Sequence, residues 1–119
     1  MSAALQTEID RRPLAFNLLE THPERFRSDF HTWLARNFQI YLAFEHEADR
    51  IWNVGRRNYS QRTIWEYMRH ETAVREKDSE FKLNDHYVKD VALLYVLLHP
   101  DRDEFFEFRY TLSAVRRAA

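Results

Sequence analysis

A chain of 119 residues with 45% apolar and 31% charged residues has the size and balance of one folded domain, which excludes an intrinsically disordered protein. The absence of cysteine excludes disulfides and thiolate metal sites, and a net charge of −1 gives no global pull toward nucleic acid. One glycine and three prolines leave few positions for tight turns, so a sandwich or barrel is disfavoured, and 15% aromatic residues must fill much of the core.

In chain order, residues 1–12 show no sustained periodicity and are expected to fray, and "MSAALQTEIDRRP" lacks the order of a signal peptide. "PLAFNLLE" predicts one or two helical turns with Leu14, Leu18 and Leu19 inward. "THPE" then reads as a helix start: Thr21 as cap, Pro23 in the first turn, and Glu24 in capping-box position. Phe26, Phe30, Trp33 and Leu34 continue that helix over 22–36. Asn37 either ends it or caps the next, which spans 38–54. There Ile40, Tyr41, Phe44, Ala48, Ile51 and Trp52 share one face, and Glu45, His46, Asp49 and Asn53 the other. Gly55 follows at the position of a left-handed C-cap.

Ser60 predicts the cap of a helix running to residue 75, and after the polar gap "EKDS" the short "EFKL" reads as extended. Asn84 and Asp85 form a plausible cap for a last helix ending before Pro100. Its second half, "VALLYVLL", is apolar all round, which predicts a central helix; it is far short of the roughly 20 residues of a membrane span. In "EFFEFRYTL" two patterns compete. Phe106, Phe108, Tyr110 and Leu112 alternate as in a strand that would pair with "EFKL", whereas Phe105, Phe108, Leu112 and Val115 match a helix. The chain as a whole (1–119) therefore predicts a single, mainly α domain of four to five helices, compatible with a winged helix-turn-helix carrying a minor two-stranded element. A soluble, cytoplasmic protein without a membrane partner is expected.

Charge is unevenly spread. Residues 1–49 carry a net −3, residues 50–77 a net +4 from seven basic and three acidic side chains, and residues 78–119 a net −2. In the basic middle, Arg50, Trp52, Arg56, Arg57, Tyr59, Arg62, Trp65 and Arg69 interleave cations with rings. Arg56 and Arg57 precede a helix N-terminus, where phosphates bind well. Glu66, however, sits between Arg62 and Arg69 at the spacing of a salt-bridged, solvated face. Trp65, at the edge of its helix's apolar face, is the ring expected to stay partly exposed. The residues expected to contact nucleic acid or a protein partner are thus Arg56, Arg57, Tyr59, Arg62, Trp65 and Arg69.

Glu71 poses a different problem. On a helical wheel it falls about 20° from Ile64, inside the apolar face with Met68. A carboxylate there needs a partner, and Lys82, the Asn84 amide or backbone amides of "EFKL" are the candidates. Glu71 and Asn84 are therefore expected as structural buried polar groups. No catalytic set converges: His70-Glu71 lacks a second histidine at zincin spacing, and the flanks of His46 point apart on a helix. One glycine leaves no phosphate-cradling loop, so no enzyme activity, metal, cofactor or small-molecule substrate is indicated.

The succession "GRRNYSQRTIWEYMRHET", "EFKLNDHY", an apolar helix ending near Pro100 and "FFEFR" resembles a group of small helical proteins found in bacteriophage and prophage-like sequence. The likeness covers 37–109; His70 stands where the group has Trp, and His86 where it has Asn. The group has no established activity, so the resemblance implies a phage or mobile-element context. Two functions fit that context. One is a small accessory or regulatory protein touching nucleic acid through the basic stripe. The other is a protein-binding module that inhibits a host factor, such as a defence system, through exposed rings and the same arginines.

Overall fold

Two helices organise the chain. In the computed structural model, which describes residues 3–75 and 85–108, with side chains from 11 to 71 and from 85 to 108, these are α3 (Phe38–Asn53) and α5 (Val88–Leu98). Around them lie α1 (Ala3–Thr21), α2 (Phe30–Arg36) and α4 (Gln61–Arg75), with single 3-10 turns at Pro23–Arg25, Asp85–Tyr87 and Pro100–Arg102. α3 packs on each of the other four helices, and α5 on α1, α3 and α4. Val91, Ala92, Leu93, Leu94 and Tyr95 are all buried, as a helix apolar on every side requires. No strand occurs among the described residues. The "EFKL" segment, and with it any pairing to residues beyond 108, lies outside them.

Two breaks with local signals, Gly55 and Ser60, form as expected, whereas Asp85 lies in a 3-10 turn and the N-cap of α5 is Tyr87 rather than the expected Asn84 or Asp85. At the end of α3, Gly55 takes φ +103°, the Gly55 N–H reaches Trp52 O at 3.0 Å, and the Arg56 N–H reaches Ile51 O at 3.4 Å. That double closure is a Schellman motif, and glycine is the residue that enters it without strain. Ser60 Oγ accepts the Thr63 N–H at 3.2 Å, capping α4. Asn37 serves both neighbours by position, but its side-chain amide closes α2 by donating to Trp33 O at 2.9 Å.

The N-terminal third departs from expectation. α1 begins at Ala3 and runs through Pro13, so the segment expected to fray is helical. Among its described side chains Ala15 and Leu19 are buried and Leu18 packs partly buried against the core, as expected for Leu18 and Leu19, whereas Leu14 is 51% exposed, against expectation. Thr21 caps nothing downstream. Its hydroxyl donates back to Asn17 O (3.0 Å) and Leu18 O (3.3 Å) as the last residue of α1. Pro23 and Glu24 therefore lie in an isolated 3-10 turn with no side-chain cap, and α2 starts only at Phe30.

A chain of touching rings runs through the interior. Phe26, Phe30, Trp33, Trp65, Phe44, Phe106, Phe105 and Trp52 follow one another with centroids 4.7–6.5 Å apart. The last links lie in 105–108, which is neither helix nor strand. It crosses the body in irregular conformation, tied by the Tyr59 N–H donating to Phe105 O at 2.9 Å. Burying Phe105 and Phe106 there needs no regular element, because each ring meets rings from both α3 and α5.

Candidate functional site

The basic stripe lies where α3, the loop after it and α4 come together. Arg50 grips Glu47 through Nη2 (2.5 Å) and Nε (3.1 Å), and this hydrogen bond raises the guanidinium pKa further. Arg62 lies 3.8 Å from Glu66, and Arg69 bonds the same carboxylate at 2.8 Å. Arg69 also bonds Asp85, the largest cause of its raised pKa. Arg50, Arg62 and Arg69 are thus bound to the protein's own acids, so the positive potential expected from Arg62 and Arg69 along α4 is largely cancelled at source.

The loop arginines differ. Arg57 lies over the Trp52 ring at 4.0 Å from its centroid and donates from Nη1 to Trp52 O (2.8 Å) and Arg56 O (3.2 Å). Arg56 and Arg57 are both exposed, and neither is ion-paired with an acid among the described residues. Trp52 receives a second cation, Arg102, at 5.0 Å from its ring centroid.

The ring assignment on α4 is reversed from expectation. Trp65 is completely buried, bridging Trp33 at 6.5 Å and Phe44 at 6.3 Å, and Tyr67 is 48% exposed. The buried arc is Ile64, Trp65 and Met68, whose centre lies about 50° round from Ile64 on the Trp65 side. Tyr67 and Glu71 fall on the far flank of that arc. Glu71 is accordingly only partly buried, which corrects its expected place within the apolar face. Asn84 and Lys82 lie outside the described residues, and so does the strut they were expected to complete. Tyr59 is half-buried against the core, and Val54, at the end of α3, is 70% exposed.

The buried carboxylate that sequence reasoning missed is Glu45, on α3, 4% exposed where an outward face was expected. It accepts the Tyr41 hydroxyl at 2.9 Å, meets His99 Nε2 at 3.1 Å and Arg11 Nε at 3.3 Å. Burial alone would raise its pKa; the bonds from His99 and Tyr41 and the charge of Arg11 outweigh that and hold it below the ordinary value. Burial, then the Glu45 charge, pushes the Tyr41 hydroxyl up. One turn along α3, Asp49 accepts from Tyr95 (2.7 Å) and from Arg102 (2.6 Å), while Arg102 also donates to the Tyr95 hydroxyl. Glu45 and Asp49 at i and i+4 thus face Tyr95 on α5 and His99 just after it, also at i and i+4, whose rings lie tilted against each other with centroids 4.4 Å apart. A matching spacing of polar residues on the two helices is the signal that could have found this seam.

Two further acids are buried, Glu47 on α3 and Asp90 on α5; Asp90 has its pKa raised by burial, Arg27 Nε stands 3.8 Å away, and Asp90 Oδ2 accepts no hydrogen bond among the described residues. An open groove of about 650 Å³ lies between Asn58, Tyr59, Arg62, Lys89, Glu107 and Phe108. No three His, Asp or Glu side chains among the described residues are placed to hold a metal ion, and no described helix is long and apolar enough to cross a membrane. No protein-family model, curated protein or solved structure matches the chain.

Proposed function

We propose that this chain is a non-enzymatic accessory module of the phage or mobile-element type that acts by binding another protein, in the manner of an inhibitor of a host factor. The observation that carries this reading is the edge formed by α3 and α4. Only three large apolar side chains are strongly exposed among the described residues, Leu14, Val54 and Tyr67. Two of them belong to the packed pair α3 and α4: Val54 lies one turn beyond Arg50 at the end of α3, and Tyr67 is on α4. Tyrosine and arginine beside an aliphatic side chain is the composition of an interface hot spot.

The nucleic-acid reading, with its winged-helix variant of the fold, retains one supporting observation: Arg56 and Arg57 are exposed beside the start of α4. Arg62 and Arg69, committed to Glu66 and Asp85, add little to it. A photo-crosslinking residue placed at Tyr67 and expressed in the host separates the two readings. A discrete protein adduct is expected, abolished by Val54→Asp and absent when the crosslinker is placed at Leu14. Absence of any such adduct, with salt-dependent duplex binding lost in Arg56→Ala/Arg57→Ala, would transfer the assignment to nucleic acid.

A further inference from the structure

We infer that the partner segment seated on the α3–α4 edge is acidic, with an apolar side chain set among its carboxylates; the inference rests on the protein-binding reading above. The argument is one of charge and pre-organisation. On this edge the Arg50 charge is met by Glu47, which is itself buried, so the pair adds little net field. The charges left over belong to Arg56 and Arg57, in the loop that follows Val54 directly. Both are exposed, and no acid among the described residues is ion-paired with either.

Arg57 is also fixed in advance. Its guanidinium lies on Trp52, and Nη1 is held by the carbonyls of Trp52 and Arg56, while Nε and Nη2 have no bond among the described residues. Those two N–H groups form the fork that takes a carboxylate with two parallel bonds, and a guanidinium already held by a ring and two carbonyls loses little freedom on doing so. Val54, three residues before Arg57 in the chain, and the Tyr67 ring on the packed helix α4 supply exposed apolar surface on the same pair of helices. An aliphatic or aromatic side chain flanked by Asp or Glu therefore matches the edge in both respects, whereas a basic segment would meet uncompensated like charge.

Panning a displayed library of random dodecapeptides against the full-length protein tests this, with the Val54→Asp/Tyr67→Ala variant as counter-selection. Far-UV circular dichroism establishes that each variant is folded. The enriched peptides are expected to be net acidic with at least one large apolar residue. Binding of a representative is expected to weaken about tenfold or more with Arg57→Ala and markedly in high salt. Neutral or basic peptides that still depend on Val54 would overturn the acidic partner and leave the edge as the binding surface. Peptides indifferent to the edge variants, or none enriched over the counter-selected protein, would remove the edge itself. Duplex DNA bound through Arg56 and Arg57, with no acidic peptide enriched, overturns the proposal in favour of nucleic acid.

Discussion

Glu45 ties three helices together, since its carboxylate joins Tyr41 of α3, Arg11 of α1 and His99 at the end of α5. Replacing it with Gln keeps the shape but removes the acceptor for a cation and weakens two further bonds. Glu45→Gln is expected to destabilise by roughly 2–3 kcal/mol, measured by urea denaturation at neutral pH. Because its folded pKa is depressed, the stability it contributes is complete above the ordinary carboxylate pKa and is lost as pH falls through the lower folded value. The wild-type and Gln proteins should therefore converge in stability at acidic pH; a constant difference would show that the charge is not what matters. Asp90 has the opposite sign. Its folded pKa is raised by burial, so the native state prefers the neutral acid and the ionised form is a liability at pH 7. Asp90→Asn is expected to raise the melting temperature at neutral pH, with the gain shrinking as pH falls through the raised folded pKa. A lower melting temperature at pH 7 would mean that the Arg27 charge already compensates the carboxylate.

At the scale of elements, the breaks that formed as predicted are those written within a few residues. Gly55 and Ser60 act on amides one turn away, so composition alone marks them. The 22–36 helix failed for the converse reason. Thr21 had two possible employers, and whether its hydroxyl faces back to Asn17 or forward to the next helix depends on where α1 packs, which local pattern does not specify. The periodicity before Pro13 was likewise too weak to show that α1 already begins at Ala3. The Gly55 closure gives the sharpest test. A Cβ at residue 55 would meet no atom within 4 Å, so Gly55→Ala isolates the backbone cost of φ +103° from any clash. A loss of about 1–2 kcal/mol is expected, with an unchanged denaturant slope. Gly55→Asn should lose less, since asparagine tolerates positive φ better. Equal stability of all three would mean that the Schellman turn reforms without a left-handed residue.

At the scale of the molecule, what periodicity could not supply is which helix covers which flank. The sequence pattern put Trp65 at the edge of the α4 stripe because Ile64, Tyr67 and Met68 define a self-consistent face. The body rotates α4 so that Trp65 enters the ring chain between Trp33 and Phe44, from helices about twenty to thirty residues earlier. The same long-range gap hid Glu45, whose partner His99 is 54 residues away, whereas the centrality of α5 was legible because an all-apolar surface needs no partner list. If the ring chain is one cooperative unit, removing its middle should be felt globally. Trp65→Ala is expected to cost about 3–5 kcal/mol, a large share of a small domain's stability, while unfolding stays a single transition by both fluorescence and circular dichroism. Trp65→Phe should cost far less than Trp65→Ala, because it retains most of the ring contacts and deletes an indole N–H that has no hydrogen-bond partner among the described residues. A binding anchor at the surface would behave in reverse: stability would be kept and partner binding lost. A Trp65→Ala protein that unfolds like the wild type would return this ring to the surface and move the binding edge from Tyr67 to Trp65.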